Sequence, residues 1–175
     1  FSILSQNEEL VFQSEKSIGE ILFSKMEDHK QAADQYKKLY EKYPKAPERD
    51  FFLLRIARSY YDALDFEQAI ATYRKFLKEY SKSPLAAEAM YQLGNTYYTQ
   101  GDCDEAIDIF EDLGLGFPSS PQVVLAQFTV GNCFEDQGKQ EEALVLYEKI
   151  LDKYPSKNVV LAKITRLRDK QSRKR

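Results

Sequence analysis

The sequence predicts an all-α fold of repeated helix pairs, and three observations carry the prediction. Ala32, Ala69, Ala106 and Ala143 stand thirty-seven residues apart, each followed four positions on by a ring, at Tyr36, Tyr73, Phe110 and Tyr147. A second ring column, Tyr43, Tyr80, Phe117 and Tyr154, keeps the same interval; proline follows at Pro44, Pro118 and Pro155, with Ser81 the exception. Between these marks apolar residues recur at three- and four-residue spacing, and no segment carries a strand signal. A fixed period of this length marks a solenoid, in which each unit buries its apolar face only against its neighbours. Function is therefore expected on an extended surface rather than in a catalytic pocket.

Each element follows from this punctuation. In the first unit, residues 10–45, Asp28 with Gln31 opens the second helix, which carries Ala32 and Tyr36. Its first helix is less regular, because Glu20 stands where a small residue should let the helices approach. Ile3, Leu4, Leu10, Val11 and Phe12 precede it and either cover the unit or are the tail of a further repeat. In the second unit, residues 46–82, Pro47 suits the first turn of a helix whose stripe is Leu53, Ile56, Ala57 and Tyr60. Asp65 and Gln68 make a capping box ahead of the stripe Ala69, Ile70, Tyr73, Phe76 and Leu77.

The third unit, residues 83–119, repeats the scheme with Ser83 as an N-cap before Pro84, and with Asp102 and Glu105 as the box. In the fourth, residues 120–156, Ser120 precedes Pro121, and Lys139 with Glu142 is a degenerate box. After Pro155 a last helix, capped by Ser156 or Asn158, aligns Val160, Ile164 and Leu167 on one face and closes the array. An end repeat left without such a cap would leave its apolar face in water. The expected organisation is one solenoid domain over residues 1–175, with capping helix and basic tail at 157–175.

Composition agrees. The 175 residues are 43% hydrophobic and 30% charged, ordinary values for a folded soluble chain. Uncharged apolar runs fall well short of the roughly 18–20 residues a membrane span needs. Phe1 in place of an initiator methionine implies a processed or truncated product. From Lys163 to Arg175 seven basic residues face Asp169 alone, so the tail carries +6 and the remainder −9 of a net −3. The tail is read as a solvated helix end, with docking on an anionic surface as the alternative; it has no interleaved aromatic residues, so no nucleic-acid partner is expected.

The run Leu93, Gly94, Tyr97, Gly101, Ala106, Phe110, Pro118 resembles the tetratricopeptide repeat consensus, and Val130, Gly131, Phe134, Gly138, Ala143, Tyr147, Pro155 matches it again. The second unit departs mildly, with Ala57 and Leu64 for the two glycines. The resemblance covers roughly residues 14–155. It implies a right-handed superhelix of antiparallel helix pairs, about four repeats plus a C-terminal capping helix. The thirty-seven-residue style, with Tyr80, Ser83, Pro84, Ala87, Leu93, Gly94, Tyr97, Gly101 and Asp102, resembles bacterial cell-envelope members: the Tol-Pal accessory protein and the outer-membrane assembly lipoprotein. That likeness implies a periplasmic, non-enzymatic adaptor, with the cytoplasm as the alternative compartment.

Residues one step past the packing leucines lie about 100° round the first helices. They are Leu54, Tyr91 and Phe128, then Arg58, Asn95 and Asn132, then Tyr61, Tyr98 and Glu135. By resemblance this face lines a concave groove in which peptides bind, so the candidate partner-binding residues are Leu54, Arg55, Arg58, Tyr61, Tyr91, Asn95, Tyr98, Phe128 and Asn132. Tyrosine supplies rigid apolar area with a polar tip, and asparagine can pair with both backbone donors and acceptors. The lysine and arginine clamp of chaperone-binding relatives is missing, since Tyr91 and Phe128 occupy its places. The alternative is that individual rings pack between adjacent repeats.

Other chemistry is poorly supplied. His29 is the only histidine and reads as a surface residue at a helix start, which excludes His-based triads. Asp102, Asp104, Glu105 and Asp108 lack the glycine and ligand spacing of a calcium loop and read as a solvated helix start. There is no phosphate loop and no nucleophile elbow. A disulfide between Cys103 and Cys133 is not expected, and two unpaired thiols suit a reducing compartment better than the periplasm. No metal, cofactor or enzymatic activity is expected. The function expected is a protein or peptide interaction scaffold; the alternative is a self-assembling module that oligomerises through its end helices at Leu10, Phe12 or Leu167.

Overall fold

The computed structural model describes residues 6–173, and every regular element among them is helical. Ile3 and Leu4 lie outside the described residues. The chain divides into two compact units, up to Thr96 and from Tyr97 onward. The first unit contains α1 (Gln6–Ser24), α2 (His29–Lys42), α3 (Arg49–Asp62), α4 (Phe66–Glu79) and most of α5 (Ala86–Gln100). The second contains α6 (Cys103–Gly116), α7 (Gln122–Asp136), α8 (Gln140–Ile150) and α9 (Lys157–Arg173). No helix among the described residues is long and apolar enough to cross a membrane.

In the first unit α1 packs on α2, α2 on α3 and α3 on α4. The alanine and ring columns form its core: Ala32, Tyr36, Ala69 and Tyr73 are all fully buried. Small residues opposite the rings set the helix spacing. In the second unit Gly131 approaches the Tyr147 ring so closely that a Cβ would lie 2.5 Å from its Cε1. In the first repeat this position belongs to Gly19, whose Cβ would meet Tyr36 Cζ at 3.1 Å, and not to Glu20. The turn explains the slip. The amides of Asp65, Asp102 and Lys139 bond the carbonyls of Tyr60, Tyr97 and Phe134, five residues back, whereas Asp28 bonds that of Leu22, six back. The first turn is one residue longer, which moves α1 out of register and corrects the reading of Glu20.

Each of these turns passes through the left-handed region just before the cap. Gly101 and Gly138 do so at φ +88° and +76° without steric cost, while Glu27 and Leu64 do so at +52° and +62°. A side chain there costs on the order of 1 kcal/mol. The caps themselves divide. Asp28 accepts from the Gln31 amide at 3.1 Å and Asp65 from that of Gln68 at 3.3 Å, but Asp102 makes no side-chain cap bond and neither does Lys139. The serines act one turn early: Ser83 Oγ accepts from Leu85 N at 3.0 Å, and α5 starts only at Ala86. Pro121, not Ser120, occupies the N-cap of α7, although Ser120 Oγ accepts from Gln122 N at 3.4 Å.

In the second unit α6 packs on α7, α7 on α8 and α8 on α9. Val160, Ile164 and Leu167 of α9 join Ala143, Tyr147 and Ile150 in one core cluster, as a capping helix should. Leu167 and Phe12 are 0% and 1% exposed, so neither can serve as an end-to-end contact; that expectation is corrected for both. The exposed apolar residues of α1 are instead Leu10, Val11, Ile18 and Ile21. Cys103 and Cys133 are free and buried, and their thiols meet across the α6–α7 seam, where burial pushes that of Cys133 well up. His29 is half-buried, edge-on to Phe23 at 6.2 Å, rather than a plain surface residue.

Candidate partner-binding site

The first unit encloses a cavity of 330 Å³ on the exposed side of α3. Phe51, Arg55, Arg58 and Asp62 share one face of that helix, at intervals of four, three and four residues. Phe23 of α1 and Glu88 and Gln92 of α5 supply the walls; Leu54 of α3 and Tyr73 of α4 complete the lining. Arg55 lies over the Phe23 and Phe51 rings at 4.5 and 4.9 Å and reaches Glu20 at 3.5 Å. Arg58 Nε donates to both oxygens of Asp62 at 3.2 and 3.1 Å. These contacts hold both guanidiniums in place beside the cavity.

Of the candidate residues, Leu54, Arg55 and Arg58 are brought together here. Tyr61 lies beyond them, its ring 5.7 Å from Phe66 and 5.8 Å from Arg58. Tyr91 and Asn95 are half-buried on α5 and do not line the cavity, where Glu88 and Gln92 take the corresponding places. In the second unit Phe128 packs within its own repeat, 4.7 Å from Tyr154 and 5.6 Å from Tyr147. Asn132 Oδ1 accepts from Tyr147 Oη at 2.8 Å and from Lys163 Nζ at 2.7 Å. Tyr98 is half-buried, and burial followed by the nearby Asp136 pushes its hydroxyl up.

Glu135 ties α9 to α7. Its carboxylate accepts from Lys163 Nζ at 2.8 Å and from Arg166, and it shares the single Tyr147 hydroxyl proton with Asn132, 2.8 Å from Oη. Burial pushes this carboxyl up, but Lys163, Tyr147 and Arg166 outweigh that and hold it below the usual carboxylate range. Arg168 pairs with Glu148 at 2.7 Å. Three cations of the basic tail thus pair with carboxylates of the second unit, while Arg166 and Arg168 stay exposed and the end of α9 is largely solvated, as the sequence predicts.

Phe51, Glu88, Gln92 and Tyr73 escape the sequence reading. Phe51 lies on the α3 face that runs through Arg55, Arg58 and Asp62, and Glu88 and Gln92 stand thirty-seven residues after Phe51 and Arg55 on α5, so extending that stripe by one turn and by one repeat finds all three. Tyr73 reads as a packing ring, and its hydroxyl gains meaning only from what faces it.

Stacked helix pairs with ring-and-alanine cores define a helical-repeat protein. Family models described as tetratricopeptide repeat match residues 54–116 and residues 18–46 and 125–157, and the chain belongs to the tetratricopeptide repeat superfamily. The fold is similar to that of the MamA protein, with TM-score 0.73 and 22% identity, over 92% of this chain and 82% of that one. It is also similar to an array of nearly identical TPR-like repeats from Podosopora anserina, with TM-score 0.71 and 15% identity, over 92% and 87% of the two chains. A tetratricopeptide repeat protein from Parabacteroides merdae aligns with TM-score 0.71 and 16% identity, over 91% of this chain and 60% of that one. No curated protein matches the sequence.

Proposed function

We propose that this chain is a non-enzymatic scaffold that holds an extended or helical segment of a protein partner against α3, with Phe51, Arg55, Arg58, Glu88 and Gln92 as its contacts. The observation that supports it is the cavity itself. It combines rings for apolar contact with charged and amide groups that fix orientation, the usual make-up of a recognition site. Tetratricopeptide repeat proteins generally serve protein–protein contacts, which is the coarser statement on which this one builds. The thirty-seven-residue repeat style supports a bacterial envelope complex as the setting, and one continuous array over residues 1–175 as the working unit. Apolar Leu10, Val11, Ile18 and Ile21 on the exposed face of α1 favour end-to-end association as a second reading.

A displayed library of random dodecapeptides tests the primary reading. The purified chain should enrich binders, and the variant Arg55→Ala/Gln92→Ala should recover at least about tenfold fewer, the loss expected for one or two charge-assisted or amide hydrogen bonds. Its circular dichroism should be unchanged, because neither side chain is part of the buried core. Equal recovery by the variant would remove α3 from the binding site.

A further inference from the structure

The ring hydroxyls of α2, α4 and α8 face a common position on the first helix of their own repeat. Tyr36 Oη donates to Glu20 Oε1 at 2.9 Å, and Tyr147 Oη donates to Asn132 Oδ1 at 2.8 Å. Once the longer first turn is allowed for, the corresponding residue in the second repeat is Arg58, a donor with no acceptor atom. The Tyr73 hydroxyl thus has no acceptor at that position, makes no bond to Arg58 either, and is buried without a hydrogen-bond partner in a residue that is 0% exposed. Leaving a buried hydroxyl unmatched costs about 1–3 kcal/mol. Arg55 Nε is a second buried donor without a partner, and both residues line the same cavity.

The remaining lining fixes the kind of group that fits. Arg55 and Arg58 are balanced by Asp62 and Glu88, so the cavity lining is neutral overall and offers no excess cation to a carboxylate. Its unmatched donors call for an acceptor, and the Glu88 carboxylate on the opposite wall calls for a donor. A primary carboxamide is a compact neutral group that provides both: its oxygen can accept from Tyr73 and Arg55, and its nitrogen can donate to Glu88.

We infer that this cavity is a subsite for a carboxamide side chain, asparagine or glutamine, projecting from the segment bound along α3. The inference rests on the scaffold reading above and adds what the site selects. Burial pushes the Tyr73 hydroxyl well above its ordinary range, so it stays protonated and serves as a donor at all pH values near neutral.

The random dodecapeptide library is again the probe. Peptides enriched by the full chain should carry Asn or Gln at one fixed register. Exchanging that residue for Asp or Glu in a synthetic copy should weaken binding about tenfold or more, one unmet hydrogen bond plus an uncompensated charge. Tyr73→Phe should lose the amide preference while its melting temperature stays the same or rises, because the hydroxyl it deletes has no partner in the free protein. Enrichment of acidic residues, no preferred register, or an unchanged preference in Tyr73→Phe would overturn the carboxamide subsite. Peptides that depend on Arg55 and Gln92 but carry no amide register leave the scaffold reading standing and remove this inference alone; recovery of no peptide removes both.

Discussion

Replacing Gly131 by alanine is expected to destabilise the second unit by about 1–2 kcal/mol net, and a chain of this length should then melt roughly 2–8 °C lower. Two effects oppose each other. Alanine is favoured over glycine inside a helix by about 1 kcal/mol. Against this, the new methyl would lie 2.5 Å from Tyr147 Cε1 and 2.8 Å from Cζ. The ring has nowhere to go. It is fully buried, its hydroxyl is tethered to Asn132 and Glu135 at 2.8 Å each, and Phe128 lies against it at 5.6 Å. Overpacking of this kind costs about 1–3 kcal/mol and occasionally more, so the clash wins. Gly19→Ala, with its nearest atom at 3.1 Å, should be close to neutral, since a few tenths of an ångström of relief let the helix preference offset the contact. Thermal denaturation of the two variants side by side checks the order.

Removing the Glu135 carboxylate has a comparable effect by a different route. Glu135→Ala is expected to cost about 2 kcal/mol at neutral pH, because the Glu135 side chain is only 11% exposed and its charge-assisted bonds to Lys163, Tyr147 and Arg166 are lost. Arg166 is half exposed and contributes little of this through its charge. Lys163 and the Tyr147 hydroxyl keep Asn132 as a remaining acceptor. The folded protein holds the Glu135 carboxyl below its ordinary pKa, so its contribution is complete above roughly pH 4.3 and is lost as pH falls through the lower folded value. The stability gap between wild type and Glu135→Ala should therefore be constant near neutrality and narrow in acid. Amide exchange in α9 should rise in the variant, although Val160, Ile164 and Leu167 keep the helix docked.

Much of this architecture is legible in the sequence because the columns that build a repeat are dictated by sterics. Alanine sits where helices touch, a ring fills the space four residues on, and proline or an acidic cap marks each boundary. Insertions are less visible. One extra residue in the first turn slides Gly19 into the place that a strict period gives to Glu20, and only the hydrogen bond from Asp28 to Leu22 reveals it. The proposed site is legible through Arg55 and Arg58, which a helical wheel places on the face that lines the cavity. It is not legible through Phe128, whose ring turns toward Tyr154 and Tyr147, because one residue on a helix spans 100° and adjacent positions divide between packing and surface. Asp102 illustrates the same limit: it occupies the cap position without making the cap bond. The Tyr73 hydroxyl could not be recognised from its own column, since its neighbours Tyr36 and Tyr147 differ only in what faces them.

The proposed place of the partner segment is along α3, across Phe51, Arg55 and Arg58. Backbone amide shifts of the full chain, followed as a library-selected peptide is added, test it most directly. The largest changes are expected along α3, at Glu88 and Gln92 of α5, and around Tyr73 of α4. Changes confined to α2, to the exposed face of α1 or to α9, or the recovery of no peptide to add, would contradict it.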